Sequence, residues 1–229
     1  MKDVSARLID IDRRLASRFE LAEPSPHESP PMWNLVLTIL SQNTTDASRD
    51  KAFAALRKKY PTFVRLAAAE LEELAETIRP AGLSRAKAAS ILGALSRIKN
   101  ERGGYTLDFL KSMPLSDARA YLTSFGGVGV KTANILLLFS FGFPAFPVDT
   151  HVFRVTKRLG LIPPSATPDK AALLLEPHIP AGAHMRLHLN LIRLGREICK
   201  PRNPLCPSCP LLKSCPESCA KPAAQRSSS

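Results

Sequence analysis

Apolar side chains recur at helical spacing along most of the chain, and no segment shows the strict alternation that is typical of a strand. One such stripe runs from Val4 to Phe19 and predicts an amphipathic N-terminal helix. Turn-forming residues separate the stripes, so the pattern predicts an all-α protein. The segments expected to be helical are residues 4–20, 32–40, 46–60, 66–78, 84–99, 107–113, 117–125, 149–160, 167–175 and 183–198, together with the apolar run that starts at Ile135.

The composition indicates a soluble protein with an anionic partner. No apolar run reaches the length of a membrane span, and the charged N-terminus lacks the apolar core of a secretory signal, so we expect a cytoplasmic protein. The formal net charge of +12 indicates nucleic acid as the simplest partner, although a generally basic surface would give the same count. The first 31 residues carry five basic and six acidic side chains, so the positive charge lies in the rest of the chain.

A glycine-rich turn precedes the apolar run and is a candidate for phosphate binding. Gly126, Gly127 and Gly129 permit positive φ and close backbone approach, and free N–H groups at the start of the following helix suit a phosphate oxygen. Lys131 falls in the first turn of that helix, where the positive end of the helix dipole favours a neutral amine that can act as a nucleophile. An ordinary turn with a solvated lysine has the same sequence features.

An aspartate opens the next predicted helix, eighteen residues after the lysine. Asp149 stands at the N-cap position, where aspartate is preferred because its carboxylate accepts backbone N–H bonds. The same carboxylate is also a candidate catalytic group. The residues alone therefore leave open whether Asp149 is only a cap or also takes part in chemistry.

Four cysteines near the C-terminus follow the pattern C-x6-C-x2-C-x5-C. Their spacing allows the thiolates of Cys199, Cys206, Cys209 and Cys215 to close on one metal centre, and disulfides are not expected without a secretory signal. Zinc and a [4Fe–4S] cluster both fit this spacing, although zinc sites usually show two short spacers and only one is present here. Cys219 is a fifth cysteine that lies outside the pattern.

These motifs together resemble the endonuclease III family of helix-hairpin-helix DNA glycosylases, over approximately residues 4–216. The family signature Val-Gly-x-Lys-Thr-Ala is found here from Val128 to Ala133. The second signature, Val-Asp-Thr-His-Val-x-Arg-Val, is complete from Val148 to Val155. Phe125-Gly126 replaces the Leu-Pro with which the family begins its hairpin, and this departure predicts a looser start to the hairpin.

The resemblance also implies roles for individual residues. It implies that Lys131 is a Schiff-base nucleophile and that Asp149 is the catalytic carboxylate. It further implies that the four patterned cysteines hold a [4Fe–4S] cluster, with Cys219 not a ligand. The positions that it implies for DNA contact are Gln42, Asn43, Leu83, Lys87, Gly127, Gly129 and His151.

Two of the implied DNA contacts, the amide that fills the gap and the leucine that enters the duplex, also have a purely structural interpretation. In the family's Ser-x-Gln-x-x-Asp pattern, the glutamine fills the gap left by a flipped base. Alignment with this pattern places Asn43 at the position of that glutamine, with Gln42 beside it. Which amide is used stays open, and a polar helix cap would give the same pattern. Leu83 corresponds to a family leucine that wedges into the duplex, but a hydrophobic contact that closes a helix cap is the alternative.

The function implied by the resemblance is a bifunctional DNA glycosylase and AP lyase that removes oxidised pyrimidines and acts as a monomer on damaged or abasic double-stranded DNA. Two domains are expected, a barrel-like domain at residues 25–143 and a cluster domain at residues 1–24 with 144–219, followed by a disordered tail at 220–229. The alternatives are a mispair or 8-oxoguanine glycosylase of the same superfamily and a non-catalytic DNA-binding iron–sulfur protein. Lys131 argues against the adenine-removing relatives, which lack it, and binding alone requires neither Lys131 nor Asp149.

Overall fold

The structure is a computed structural model that describes residues 4–19 and 30–218. Every regular element within these ranges is a helix, which confirms the predicted all-α fold. Cys219 and the predicted tail at 220–229 lie outside the described residues. The α-helices are α1 (Val4–Phe19), α2 (Pro31–Ser41), α3 (Asp46–Lys59), α4 (Phe63–Ala67), α5 (Leu71–Thr77), α6 (Ser84–Arg102), α7 (Leu115–Thr123), α8 (Val130–Phe141), α9 (Thr150–Arg158), α10 (Pro168–Leu175) and α11 (His184–Glu197).

The described residues form two compact units. One unit contains α2 to α8, and its central helix is α2, which packs against α3, α6 and α8. The other unit contains α1 and α9 to α11, and here α11 packs against both α1 and α9. None of the described helices is both long and apolar enough to cross a membrane.

The apolar stripe predicted for α1 forms part of the core of its unit. Leu8 and Leu15 are fully buried, and Phe19 is 4% exposed. Asp12 lies on the same face and is tolerated there because Arg186 of α11 donates to both of its carboxylate oxygens, at 3.2 and 2.7 Å. The pairing fixes the position of α1 along α11.

Two predicted helices differ from those observed. The segment 66–78 was expected to be one helix, but α4 ends at Ala67 and α5 begins at Leu71. Alanines fill most of the break and are strong helix formers, so tertiary packing overrides local propensity here. The segment 107–113 was also expected to be a helix, and it is a short 3₁₀ helix at Asp108–Ser112.

Candidate functional site

The glycine-rich turn joins α7 to α8 in a helical hairpin. Gly127 has a φ of 79°, and a Cβ atom there would lie 2.5 Å from Ser90 Oγ, so both the backbone conformation and the available space require glycine. Gly129 is the N-cap of α8 in an extended conformation, and no side chain caps this helix. The first backbone N–H groups of α8 are therefore available to an outside anion such as a phosphate.

Contacts with α6 hold the start of the hairpin. The missing proline predicts a looser start, and these contacts do not indicate one. Phe125 is 5% exposed, and the guanidinium of Arg97 lies 4.9 Å from the centre of its ring. Arg97 Nη1 also donates to the hydroxyl and the carbonyl oxygen of Ser124, at 2.7 and 3.2 Å. Glu101 orients the guanidinium by accepting from its Nε at 2.6 Å. These contacts supply stiffness that the sequence at this point does not.

Lys131 is the second residue of α8, and it is exposed. In the part of the chain that the structure describes, its amine makes no hydrogen bond or ion pair. Less than one turn further on, Asn134 is fully buried, and its Oδ1 accepts from Arg119 Nε at 2.7 Å. That bond ties α8 to α7, so the amine is available for reaction on a helix that is itself fixed.

Asp149 is the N-cap of α9. Its Oδ1 accepts hydrogen bonds from the backbone nitrogens of His151 and Val152, at 2.9 and 2.8 Å. Oδ2 has no hydrogen-bond partner among residues 4–19 and 30–218, and the residue is half-buried. Asp149 therefore combines a fixed orientation with one carboxylate oxygen left for a ligand.

The segment before Asp149 is held by side chains from α11 and from the turn after α10. The backbone nitrogen of Phe146 donates to Glu176 Oε2 at 3.0 Å. The carbonyl oxygen of Pro147 lies 3.0 Å from Nδ1 of the buried His188, so that nitrogen must carry the proton. These bonds fix the backbone two and three residues ahead of the carboxylate.

α9 is fixed to α11 by Arg154. Its Nε donates to the carbonyl oxygen of Cys199 at 2.9 Å, and its Nη2 donates to that of Gly195 at 2.8 Å. His151 Nδ1 lies 3.1 Å from Arg154 Nη2 and must accept, because a guanidinium only donates. A Cβ atom at Gly195 would lie 2.8 Å from His151 Cβ, so glycine allows the two helices to approach closely. The imidazole predicted to contact DNA is thus oriented by Arg154.

The four patterned cysteines line one cavity of about 410 Å³. Arg158, at the end of α9, donates to Cys199 Sγ at 3.4 Å and to the carbonyl oxygens of Lys200 and Pro201. Burial raises the pKa of the Cys215 thiol to about 11. No three His, Cys, Asp or Glu side chains of the described residues converge as they would on a single metal ion.

The two candidate amides are neighbours in the turn between α2 and α3, but they have different surroundings. Gln42 is half-buried, and its Nε2 donates to the carbonyl oxygen of Gly127 at 2.8 Å and to Thr132 Oγ1 at 3.2 Å. Asn43 is exposed, has a φ of 50°, and makes no hydrogen bond within the described residues. The two neighbours thus have different surroundings, which the sequence does not indicate.

The loop between α5 and α6 exposes Leu83 and buries Lys87. Leu83 is 65% exposed in the left-handed conformation, with φ 46° and ψ 35°, and an exposed fraction this large argues against a hydrophobic cap contact. Lys87 is 4% exposed, and its Nζ donates to the carbonyl oxygens of Leu40 and Ala81 at 2.8 and 2.7 Å. Burial lowers the pKa of this ammonium. The DNA contact predicted for Lys87 does not fit this placement, because the ammonium holds the loop from inside.

The part of the chain that contains the hairpin and the N-terminus of α9 matches a known family. The family model of HhH-GPD superfamily base excision DNA repair proteins matches residues 36–180. The chain belongs to this superfamily. The matched range contains the α2–α3 turn, the hairpin and Asp149, whereas the four cysteines lie beyond it.

Individual relatives of this HhH-GPD protein extend the match beyond that range. Endonuclease III of Thermotoga maritima is 37% identical over 208 residues, which are 90% of this chain and 91% of that protein. A putative DNA glycosylase of Arabidopsis thaliana is 36% identical over 162 residues, 71% of this chain and 55% of the longer plant protein. A solved structure of a trapped endonuclease III–DNA covalent intermediate has a TM-score of 0.79 and 34% identity, covering 93% of this chain and 96% of that one.

Several residues that support this HhH-GPD site were not identified from the sequence. Arg97, Arg154 and His188 lie 27, 45 and 41 residues away from backbone groups that they bind, so no local pattern reveals the contacts. Arg154 alone carried a signal, since it is the arginine of the motif that begins at Val148. The contacts of Arg97 and His188 depend on how the helices pack.

Proposed function

We propose that this protein is a DNA glycosylase with AP-lyase activity that acts in base excision repair and removes oxidised pyrimidines from double-stranded DNA. One observation carries the proposal. Lys131, in the first turn of α8, has an exposed amine with no hydrogen bond or ion pair among the described residues, and the carboxylate of Asp149 caps α9 in the same chain. Similarity to endonuclease III over nine-tenths of both chains supports it.

In this reaction the neutral amine of Lys131 attacks the anomeric carbon of the damaged nucleotide, and the bond from that carbon to the base breaks. The base leaves with the bonding electron pair and takes up a proton. Asp149 stabilises the positive charge that develops on the sugar and accepts the proton that the amine loses. The bond from the anomeric carbon to the ring oxygen then breaks, the oxygen takes up a proton, and a protonated Schiff base forms on Lys131. This Schiff base acidifies the hydrogen on the neighbouring sugar carbon. Loss of that proton allows β-elimination, in which the carbon–oxygen bond 3′ to the lesion breaks and the phosphate leaves.

DNA binding in this proposal depends mainly on contacts that do not read sequence. The uncapped N-terminus of α8 binds a backbone phosphate, which positions the duplex without identifying bases. The target nucleotide is extruded from the helix. Leu83 enters the duplex as a wedge, since it is an exposed apolar side chain on a short loop. One protein molecule suffices for these contacts.

The cysteine cavity fits a [4Fe–4S] cluster. Four thiols line it, and Arg158 donates to the first of them; the four are Cys199, Cys206, Cys209 and Cys215. When bound, the cluster supplies cross-links within the loop after α11. Those links hold the carbonyl oxygen of Cys199, which Arg154 of α9 binds.

Borohydride trapping on abasic duplex DNA tests the proposed function. We expect the wild-type protein to form a covalent complex and Lys131→Ala to form none, since only this amine is placed at the hairpin. Lys170→Ala is the matched control, because Lys170 is also an exposed lysine in the first turn of a helix, here α10 with a Thr167 cap. Trapping that persists in Lys131→Ala, or that disappears in Lys170→Ala, would assign the nucleophile elsewhere.

A panel of lesion duplexes then tests the substrate class. We expect excision of oxidised pyrimidines and none of normal bases. Faster excision from mispairs or of 8-oxoguanine would contradict the proposed lesion class and leave the glycosylase assignment standing.

A further inference from the structure

Lys87 carries a buried ammonium group that the proposed reaction does not use. It belongs to α6 and is 4% exposed, so the amine is not placed to contact DNA. Among the described residues it makes no ion pair with a carboxylate, although burial of an unpaired charge is costly. Methionine would fill a similar volume with no charge to desolvate. What the ammonium adds is therefore its hydrogen bonds, and their acceptors show what it holds in place.

The first acceptor lies in the last turn of α2. Lys87 Nζ donates to the carbonyl oxygen of Leu40 at 2.8 Å. The last carbonyl groups of a helix have no partner within the helix and carry partial negative charge, so a cation is favoured at this end. The bond attaches α6 to the C-terminus of α2, which itself packs against three helices of its unit.

The second acceptor lies in the turn of residues 81–84, which we call the Leu83 turn. Lys87 Nζ donates to the carbonyl oxygen of Ala81 at 2.7 Å. The backbone nitrogen of Lys87 also donates to the carbonyl oxygen of Leu83 at 3.0 Å, as the first bond of α6. The bond to Leu83 is available to almost any residue at this position, whereas the bond to Ala81 requires the ammonium. Leu83, which is 65% exposed, thus projects from a turn that Lys87 fixes at two points.

The conformation of the Leu83 turn makes such a fixed point necessary. Gly82 and Leu83 both have positive φ, at 65° and 46°, and this conformation is unfavourable for leucine. A leucine that separates stacked bases is pushed back by them, because unstacking costs free energy. A turn that relaxed under this force would withdraw the side chain from the duplex. The bond to Ala81 opposes that relaxation, and the bond to Leu40 connects the turn to α2.

We propose that Lys87 is a positioning residue for base extrusion, and that its ammonium holds the Leu83 turn against the end of α2 so that Leu83 enters the duplex as a rigid wedge. The proposal rests on the proposed function and adds a residue that acts through Leu83 without touching DNA. Lys87 is then important for opening the duplex and not for the chemical step at Lys131.

Single-turnover excision from two substrates at saturating protein separates these steps. In one substrate the oxidised pyrimidine is paired within a duplex, and in the other it lies in a short unpaired bubble, where extrusion costs less. Lys87→Met should excise roughly tenfold more slowly than wild type from the duplex, but within about twofold of wild type from the bubble. Equal losses on the two substrates would overturn the proposal.

A second variant and a matched control accompany Lys87→Met. Lys87→Gln keeps two amide hydrogens but ends one atom short, so its loss on the duplex should be intermediate, and it supplies the comparison if Lys87→Met does not fold. Arg85→Met is the control, because it removes one positive charge from the same end of α6. Arg85 Nε bonds Glu72 of α5 at 2.7 Å and no carbonyl oxygen of the turn. Its ratio of duplex to bubble rates should equal that of wild type.

A double-mutant cycle shows whether Lys87 acts through Leu83. Leu83→Gly removes the wedge and accepts positive φ. When Lys87→Met is added to Leu83→Gly, excision from the paired duplex should slow by no more than about twofold further, since the wedge is already absent. A general defect in folding or chemistry would instead multiply the two separate losses, and that result would contradict the proposal.

Hydrogen exchange in the DNA-free protein tests the bond network without any activity. The backbone amides of Ala81 and Gly82 donate to the carbonyl oxygens of Ile78 and Arg79, at 2.9 and 3.1 Å. Both amides should exchange roughly tenfold faster in Lys87→Met than in wild type, because the turn loses a charged hydrogen bond. Amides of residues 91–98, further along α6, should keep their wild-type rates. Unchanged exchange at both amides would show that the ammonium does not hold the turn.

Failure of the proposed function gives a different pattern. A wild-type protein that excises the lesion from neither substrate would refute the glycosylase and, with it, the role of Lys87 in extrusion. If wild type excises from both substrates and Lys87→Met matches it on both, only the role of Lys87 is refuted.

Discussion

Asp149 divides two tasks between its two carboxylate oxygens. Oδ1 accepts the backbone N–H bonds that cap α9, and Oδ2 is left without a partner within the described residues. Asparagine caps a helix nearly as well as aspartate and has almost the same shape, but it carries no charge. Replacement of the carboxylate by an amide therefore separates the structural task, which is the cap, from the electrostatic task, which needs the negative charge.

We expect Asp149→Asn to fold with a free energy of unfolding within about 1 kcal/mol of wild type. Its DNA affinity should be equal or higher, because one negative charge near phosphates is gone. Single-turnover base excision should fall by roughly a hundredfold or more, the scale of losing one electrostatic stabiliser. Asp169→Asn, in the first turn of α10, is the matched control and should excise normally. Near wild-type excision in Asp149→Asn would reduce the residue to a cap.

At the scale of elements, Arg97 joins α6 to the start of the hairpin. Arg97 of α6 stacks on Phe125 and bonds Ser124, the two residues that precede the glycines. A hairpin that binds phosphate through backbone N–H groups needs those groups held in place, since a mobile turn must be ordered at the moment of binding. The stiffness therefore comes from a distant helix rather than from a proline in the turn.

Arg97→Ala should weaken binding to abasic DNA about threefold to tenfold, because the cation–π contact and two hydrogen bonds are lost. Lys99→Ala is the matched control: it removes one positive charge from the same helix, but Lys99 donates to the carbonyl oxygen of Gly103, the C-cap of α6. Fluorescence anisotropy at one ionic strength measures both. Equal losses in the two variants would mean that charge, and not the hairpin contact, sets the affinity.

α9 is a second element that joins two parts of the protein. Asp149 caps its start, and Arg158 at its end bonds the cysteine loop. Protein purified without oxygen should be brown and contain iron, and Cys206→Ser should lose that iron. Cys219→Ser should retain it, since Cys219 lies outside the ligand pattern. Stoichiometric zinc without iron would refute the proposed cluster.

At the scale of the whole molecule, the net charge of +12 predicts a salt-dependent interaction with DNA. If about four phosphates are neutralised, the logarithm of the association constant should fall against the logarithm of salt concentration with a slope of roughly −3 to −4. Titration of an undamaged duplex between low and moderate salt measures the slope. A flat dependence would place the positive charge away from the interface.

The sequence predicts the helices and the positions of the candidate catalytic residues, because both are written in local patterns. Periodicity gives α1, and two short motifs locate Lys131 and Asp149 at helix starts. The cap at Asp149 is itself a local interaction, so it could be anticipated.

What the sequence does not predict is the set of contacts between residues far apart in the chain. Lys87 matches a family position, yet it is buried under two carbonyl oxygens that belong to other segments. Gln42 and Asn43 are chemically alike, and only the position of the hairpin, 85 residues further on, distinguishes them. The break between α4 and α5 runs through residues that favour helix, so packing decides it.

The conformation of Leu83 has a consequence for how stability and activity are related in this protein. A left-handed backbone at a branched residue costs about 1 kcal/mol, and an exposed leucine gains nothing from burial in return. In the proposed function, a bound duplex offsets this cost by desolvating the side chain. Mutations selected for thermal stability would favour glycine at this position, so a more stable protein and the proposed wedge are opposing outcomes at the same residue.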